Sequence, residues 1–299
     1  MHQPYIALLG KFHVGPSADQ PISGLDGQKC RELLAYLLLQ RRTPNRREQL
    51  AVLFWPDSSA HTARKYLRHH LWRIQTVLAE NEIAPFIEVS DDEVGVAPSA
   101  DFYLDVNELE QAYWATKDKL GDVLEVEEYS KITAAIEKYG GELLPHSYDD
   151  WCIVERERLQ SIYLILLDKL MVYCETHNRL EEGLIYGYRV LRIDLARECT
   201  HRRMMTLYYR IGDRTGALRQ FQQCESILRQ ELNVPPSQKT IALHHEICAD
   251  TGNRQTELEN TISEPNVNAK TDFPQHLREI NNHLVLLQQA IQSYLQHLN

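Results

Sequence analysis

The chain has 299 residues, a formal net charge of -10, 43% hydrophobic residues and six cysteines. A length of this order suggests two domains, and the apolar content is sufficient for ordinary cores. No run approaches the roughly 18 apolar residues that a membrane span requires, and the N-terminus lacks the pattern of a signal peptide. We therefore expect a cytoplasmic protein without membrane contacts. The cysteines are widely spaced, which favours reduced core thiols over disulfides or a zinc site.

Charge is unevenly distributed along the chain. Residues 1–80 contain eleven basic and six acidic side chains, a net charge of +5. The remaining residues contain 21 basic and 36 acidic side chains, a net charge of -15. A basic module joined to an acidic body is typical of a nucleic-acid binder whose second half faces proteins. The same asymmetry argues against a general polyanion binder.

Short elements are predicted at the start of the chain. Residues 5–14 alternate well enough to predict a strand, and residues 16–22 predict a second, short one. Residues 28–40 repeat apolar positions every three or four residues, which predicts a first helix. Pro44 ends this helix, because proline cannot continue the hydrogen-bond ladder.

A short second helix is expected next. It starts at Asn45 or Arg46, and Trp55 with Pro56 ends it. The apolar residues that we expect to face inward are Leu50, Leu53 and Phe54.

The most informative stretch is a predicted third helix that ends near Glu80. Asp57, Ser58 and Ser59 offer side-chain oxygens for the free amides of its first turn. Five apolar residues then recur every three or four positions and form a stripe that must be buried: Ala63, Leu67, Leu71, Ile74 and Leu78. Roughly a third of a turn away lies a second stripe, which is largely basic: His61, Arg64, Lys65, Arg68 and Trp72.

A helix of this kind can bury one side while it offers cations and hydrogen-bond donors on the other. The major groove of double-stranded DNA admits one helix and is flanked by phosphates. A solvated basic face is the alternative for this helix taken alone. Residues 86–90 and 93–97 then predict a hairpin with Asp91 and Asp92 at its tip. Short strands, three helices and a terminal hairpin outline a winged helix-turn-helix.

Several segments of this region share a pattern with one known family. They are residues 28–37 (QKCRELLAYL), 47–51 (REQLA), 55–57 (WPD) and 63–71 (ARKYLRHHL), with residues 86–89 and 101–106 as wing and exit strand. The pattern resembles the winged-helix activators typified by the Streptomyces antibiotic regulatory proteins. The resemblance implies a response-regulator-type winged helix whose third helix enters the major groove.

The same resemblance indicates which residues matter for DNA binding and where this chain departs from its relatives. Basic positions of the family are occupied here by Arg64, Arg68 and Arg73. The departures are Gln75 and Thr76, where relatives often carry more basic residues, and Trp72, which replaces a small residue. The acidic wing tip also disfavours a minor-groove arginine contact by this wing.

The middle of the chain turns acidic and then helical. Residues 81–128 contain fourteen acidic side chains and two lysines, and residues 105–121 predict a solvated connector that keeps the second domain away from DNA. Helices are predicted over residues 132–139, 151–174, 180–194, 201–211, 215–231 and 238–249. A repeat at an offset of 34 residues aligns Leu170 with Met204, Gly183 with Ala217 and Val190 with Cys224. This is the period of tetratricopeptide repeats, whose paired helices stack to bury a continuous core.

Four motifs occur in this helical region: residues 140–144 (GGELL), 151–159 (WCIVERERL), 212–218 (GDRTGAL) and 231–237 (ELNVPPS). They resemble the bacterial transcriptional activator domain that follows the winged helix in the same family. The resemblance covers about residues 5–250. It implies a mainly α protein with a winged helix-turn-helix (α+β) at residues 1–104 and an all-α, tetratricopeptide-like activator domain at residues 105–252.

The C-terminal part predicts a linker and a coiled coil. Residues 253–273 are poor in apolar side chains and predict a flexible linker. Residues 274–299 carry a heptad seam, which predicts a coiled-coil helix that pairs two chains as a homodimer. The seam residues are Leu277, Ile280, Leu284, Leu287, Ile291, Tyr294 and Leu298. An amphipathic helix folded back on its own body is the alternative.

Patterns for catalysis or metal binding are weak. His61 and His69 are eight residues apart, and the run His244-His245-Glu246 lacks the second histidine of a zinc-protease helix. The sequence contains no P-loop, GxGxxG or GxSxG motif. Asp149 and Asp150 fit an acidic helix N-terminus better than a catalytic pair. We therefore expect no enzyme activity, no catalytic residues, no cofactor and no metal.

These features together predict a sequence-specific transcriptional regulator, associated with the nucleoid. The family resemblance implies an activator that binds direct repeats in promoters through its third helix and recruits RNA polymerase holoenzyme. The residues expected to contact double-stranded DNA are Arg46, Arg47, His61, Thr62, Arg64, Lys65, Arg68, His69, Trp72 and Arg73. The alternative is a tetratricopeptide-type scaffold or adaptor whose winged helix mediates protein contacts. Salt-dependent binding to duplex DNA distinguishes the two.

Overall fold

A computed structural model describes residues 3–250 of the chain. The linker predicted at residues 253–273 and the coiled-coil helix predicted at residues 274–299, with all of its seam residues, lie outside the described part. The fold is mainly α, with a winged helix-turn-helix in front of an all-helical domain, which confirms the predicted fold class.

The N-terminal strands form a small three-stranded sheet. Strand β1 (Tyr5–Ala7) pairs antiparallel with β2 (His13–Gly15), and β6 (Tyr103–Leu104) pairs parallel with β1, so the strand order is β2-β1-β6. The single strand predicted over residues 5–14 was therefore wrong. Gly10, at a φ of +83°, turns the chain between β1 and β2.

The strand predicted over residues 16–22 was also wrong. Within it the structure has an isolated bridge between Ser17 and Gln20 instead of a strand. In the first predicted strand, over residues 5–14, the alternation of buried and exposed side chains ends early, since the adjacent side chains of Leu8 and Leu9 are both buried.

The three helices of the winged helix were predicted almost at their bounds. They are α1 (Gln28–Leu39), α2 (Arg47–Phe54) and α3 (Ala60–Glu80). The Ser59 side chain caps α3 by accepting a hydrogen bond from the amide of Thr62. All five residues of the predicted apolar stripe of α3 are buried. One prediction for α2 was wrong: Leu53, which was expected to face inward, is 38% exposed, and Ala51 is buried instead.

The predicted wing hairpin is confirmed, and a third strand joins it. Strands β4 (Ile87–Val89) and β5 (Glu93–Val96) pair antiparallel, and β3 (Asn45–Arg46) pairs with the other edge of β5. Asn45 and Arg46 were expected to start the second helix. They are extended because their backbone pairs with the wing, and α2 begins one residue later.

Within residues 105–250, seven α-helices follow the winged helix. They are α4 (Asp105–Thr116), α5 (Val126–Glu137), α6 (Asp150–Thr176), α7 (Leu180–Leu191), α8 (Glu198–Ile211), α9 (Arg214–Ile227) and α10 (Gln238–Ala249). From α6 onward each helix packs on the next. A Cβ atom at Gly183 would lie 3.0 Å from the Leu207 side chain, which explains the small residue in the second helix of a repeat. This arrangement matches the predicted stacking of helix pairs.

The acidic stretch after the wing is not the solvated connector that we expected. In α4 the side chains of Val106, Leu109 and Ala112 are buried, and they belong to one core that continues from the winged helix into the helical domain. The acidic side chains of Asp105 and Glu110 are buried as well. Local composition suggested solvation, but each of these acids has a specific partner.

Asp105 joins the N-terminal sheet to α4. Its carboxylate accepts hydrogen bonds from the backbone amides of Leu8 and Leu9 at 2.8–3.0 Å and from its neighbour Val106 at 2.8 Å. Burial raises the pKa of Asp105, and the hydrogen bonds from the amides oppose that rise. The carboxylate thus supplies acceptors for the buried amides of Leu8 and Leu9, which follow the end of β1.

Ionic and aromatic contacts also hold the winged helix against the helical domain. Glu110 forms ion pairs at 2.8 Å both with Arg41, which follows α1, and with Arg158 in α6. Trp151, at the start of α6, packs edge-on against Tyr36 of α1, with ring centroids 5.2 Å apart. The two parts therefore share ionic, aromatic and backbone contacts.

Replacing Asp105 tests the importance of this joint. Asp105→Ala leaves two buried amides without acceptors and should lower the free energy of unfolding by about 2–3 kcal/mol. Urea denaturation followed by circular dichroism measures the loss. Asp122→Ala, which removes an exposed carboxylate, is the matched control. A loss no larger than that of the control would show that the carboxylate is dispensable.

Candidate nucleic-acid interface

The polar face of α3 is open to solvent along most of its length. The exposed residues on it are His61, Arg64, Lys65, Arg68, His69 and Trp72. Trp72 is 60% exposed, which is unusual for the largest apolar side chain. The buried stripe anchors the opposite side of the helix, so the helix presents this face without any rearrangement.

The N-terminal half of α3, the start of α2 and the tip of the wing enclose an open hollow. Its lining comprises Arg47, His61, Arg64, Lys65, Leu67, Arg68 and Asp91. Four of these side chains are cationic and one is anionic. The structure therefore brings together five residues that the sequence assigned to DNA binding, four of them on one helix. A second, shallower hollow along α3 is lined by Lys65, Arg68, His69 and Trp72.

Arg47 connects the start of α2 to the wing. Its backbone amide donates to the carbonyl of Asp92, and its guanidinium donates to the carbonyl of Ser90, both at 2.9 Å. Arg46 lies beside it in β3, opposite Glu93, with its side chain exposed. Both arginines therefore lie at the edge of the α3 surface, where the wing meets α2.

Arg64 is held loosely in its present position. Its Nε donates to the carbonyl of Ala60 at 3.1 Å, and its guanidinium lies 3.7 Å from the carboxylate of Glu48. The side chains of Arg64 and Glu48 are 58% and 82% exposed. Exposed pairs of this kind contribute little free energy, so Arg64 can exchange Glu48 for another anion at small cost.

Two of the expected contact residues lie apart from this surface. Thr62 is half-buried, and its hydroxyl is hydrogen-bonded to that of Ser59 at 2.9 Å in the helix cap. The guanidinium of Arg73 donates from Nε to the carbonyl of Gly24 at 3.1 Å, which turns it toward the loop before α1. Neither side chain lines the two hollows.

Sequence reasoning missed two acidic side chains beside the cationic surface. Asp91 reaches the hollow from the wing, and Glu48 pairs with Arg64 from α2. The acidic tip was visible in the sequence, but its position near α3 depends on how the hairpin twists across β3. Glu48 sits in the first turn of α2, where an acidic residue is ordinarily explained by the helix dipole alone.

Histidine side chains of α3 and α10 are engaged in other contacts. The ring of His70 lies 2.8 Å from the carbonyl of Tyr66 and packs on Trp55, whereas His244 stacks on Phe221. Within residues 3–250, histidine, cysteine and carboxylate side chains form no group of three or more that could hold a metal ion. Across the same residues, the structure shows no helix that combines the length and apolar character needed to cross a bilayer.

Comparison with known proteins agrees with these features. Residues 104–248 match the family described as bacterial transcriptional activator domain. The fold is similar to that of Mycobacterium tuberculosis EmbR, solved in complex with a low affinity phosphopeptide, with a TM-score of 0.60 and 17% sequence identity. The similarity covers 83% of this chain and 65% of the EmbR chain, slightly less than two thirds of that protein. No curated protein sequence matches the chain.

At this level of identity, the likeness to EmbR shows a shared fold. The family match is independent of it and falls on the helical domain that carries the four motifs. A winged helix precedes that domain, as the resemblance implied. These findings confirm the resemblance to the Streptomyces antibiotic regulatory proteins: a match to the bacterial transcriptional activator domain, over slightly less than half of the chain, follows a winged helix.

Proposed function

We propose that this protein binds double-stranded DNA sequence-specifically through α3 and activates transcription by recruiting RNA polymerase holoenzyme to promoters with direct repeats. The observation that carries the proposal is the exposed cationic face of α3, opposite a fully buried apolar stripe. A homodimer paired through the predicted coiled coil is part of the proposal. A tetratricopeptide-type scaffold would account for the helical domain but would leave this face without a role.

Base recognition is assigned to the residues that line the hollow from α3. Arg68 and Lys65 are exposed, and neither takes part in the hydrogen bonds and ion pairs found among residues 3–250. Their donors are therefore available to a ligand without breaking an internal contact. A bidentate contact from arginine to guanine discriminates against the wrong base by roughly 1–3 kcal/mol. Arg64 can join them because its pairing with Glu48 is weak.

Single arginine replacements on α3 test base recognition. The operator is first mapped by footprinting the DNA just upstream of the protein's own gene. Arg68→Ala should then weaken operator binding by about 1–3 kcal/mol and relax the preference at one base pair. Fluorescence anisotropy on operators changed at each position measures both effects. Arg219→Ala, an exposed arginine of α9, is the control with the same change in charge. The assignment of α3 fails if Arg64→Ala and Arg68→Ala leave both the footprint and the affinity unchanged.

Arg46 and Arg47 are assigned to the phosphate backbone, because they lie at the edge of the α3 surface. Arg46 is the better residue to replace, since the guanidinium of Arg47 also holds the wing. Arg46→Ala should weaken binding to all sequences alike and reduce the slope of log affinity against log salt concentration by about one. Titrations at several salt concentrations, on operator and unrelated duplexes, measure this slope. A loss confined to the operator would mean that Arg46 reads a base.

Activation is assigned to the exposed turn between α2 and α3 or to the acidic body. Pro56 and Asp57 are exposed, whereas Ser59 is needed to cap α3. If the turn is the contact, Pro56→Ala combined with Asp57→Ala should bind the operator normally but fail to stimulate transcription by purified RNA polymerase. Asp122→Ala on the acidic body is the comparison. Repression by the unaltered protein at every promoter spacing, without activation, would contradict the assignment of an activator.

A further inference from the structure

Trp72 differs in chemistry from the other residues on the polar face of α3. It is 60% exposed, and within residues 3–250 the one aromatic ring beside it is that of His69, with ring centroids 6.2 Å apart. Its indole N–H has no hydrogen-bond partner in the same part of the chain. Single apolar side chains are common on protein surfaces, so exposure alone assigns no role to Trp72. Its position along α3 and the charges around it indicate one.

Trp72 lies in one row with two of the residues assigned to base recognition. Lys65, Arg68 and Trp72 are three and four positions apart, so their side chains lie on the same side of the helix. With a rise of about 1.5 Å per residue, Trp72 lies about 6 Å beyond Arg68 along the helix axis. The second hollow along α3 is lined by these three residues and His69. A groove that places Arg68 against a base edge therefore brings Trp72 close to a neighbouring base pair.

The charges around Trp72 favour an anionic partner. In the described part of the chain, no carboxylate lines the second hollow, whereas Asp91 lines the first. Within α3 the first carboxylate is that of Glu80, the last residue of the helix. A partner that covers this surface must neutralise cations and also offer apolar surface to an indole ring. The major groove of DNA does both, because phosphates flank it and the C5 methyl group of thymine is exposed in it.

The thymine methyl group also carries sequence information. In the major groove it distinguishes thymine from the other three bases, and the minor groove displays no equivalent group. An indole ring that packs on this methyl group selects an A·T pair in one orientation without a hydrogen bond. The selection therefore differs in kind from that of an arginine, which reads guanine through two donors.

We propose that Trp72 reads a thymine of the operator by packing on its C5 methyl group, close to the base that Arg68 contacts. This inference rests on the proposed binding of α3 in the major groove. It adds a specificity-determining residue that acts by apolar contact, and it places a thymine at a defined position of the operator.

Removal of the methyl group alone tests the proposal. Each thymine of the mapped operator is replaced in turn by deoxyuridine, which keeps the hydrogen-bonding groups and lacks only the C5 methyl group. At one position, or at the equivalent position of each repeat, this replacement should weaken binding about fourfold, the value for one buried methyl group. Fluorescence anisotropy with the full chain at constant salt concentration measures the affinities.

A double-mutant cycle then assigns the effect to Trp72. Trp72→Ala should bind the thymine and deoxyuridine operators equally, because the side chain that covers the methyl group is gone. Trp114→Ala is the matched control, since it removes a tryptophan of α4 that is 54% exposed, and it should keep the fourfold dependence. Circular dichroism of both variants should match that of the unaltered protein, because neither side chain is buried.

The inference is overturned if the unaltered protein tolerates deoxyuridine at every position, or if Trp72→Ala keeps the dependence on the methyl group. In the first case, weaker binding of Trp72→Ala to every duplex would place the indole on the DNA backbone. Loss of activation by Trp72→Ala with unchanged operator affinity would place it on a protein partner instead. Operator binding itself stands in each of these results. Failure of the unaltered protein to bind any duplex would refute the proposed function as well, and it would be seen before any thymine is replaced.

Discussion

The carboxylate of Asp105 is the interaction on which the relation between the two parts of this protein depends. It accepts hydrogen bonds from the amides of Leu8 and Leu9 where β1 ends, and within residues 3–250 these buried amides have no other acceptor. Burial raises the pKa of this carboxylate, and the hydrogen bonds from the backbone amides oppose that rise in part. Because Asp105 is the first residue of α4, the same contact fixes where that helix starts relative to the N-terminal sheet.

The position of α4 determines how the helices of the winged helix are supported. Glu110, little more than one turn after Asp105, holds Arg41 at the end of α1 and Arg158 in α6. Trp151 then packs on both Tyr36 of α1 and Phe54 of α2. The two helices beneath α3 are therefore fastened to the helical domain by ion pairs and aromatic contacts. The exposed face of α3 is thus held on the helical domain. In the proposed complex, a groove contact by α3 would also fix where that domain lies along the duplex.

The elements that could be predicted from the sequence are those whose spacing of apolar residues is complete within one segment. The bounds and the two faces of α3 follow from spacings of three and four residues and from Ser59, all within one segment. The failures involve contacts between distant segments. Asn45 and Arg46 are extended because they pair with the wing, and the amides of Leu8 and Leu9 bind Asp105 instead of a neighbouring strand. Glu110 of α4 is buried because Arg41 and Arg158 reach it. For the candidate site, sequence located the basic stripe but not the orientation of Arg73 toward Gly24, since that loop is distant in sequence.

The distribution of charge around α3 restricts how DNA can approach in the proposed complex. Asp91 lies in the hollow, and Asp92 and Glu93 follow it at the tip of the wing. Phosphates placed over this tip would be repelled, whereas phosphates beside Arg46 and Arg47 would be attracted. The duplex backbone is therefore expected to pass along the start of α2 and to avoid the wing tip. In the proposed complex, α3 is therefore the element directed at the bases. The wing does not contact bases, and its acidic tip disfavours orientations that bring the duplex backbone over it.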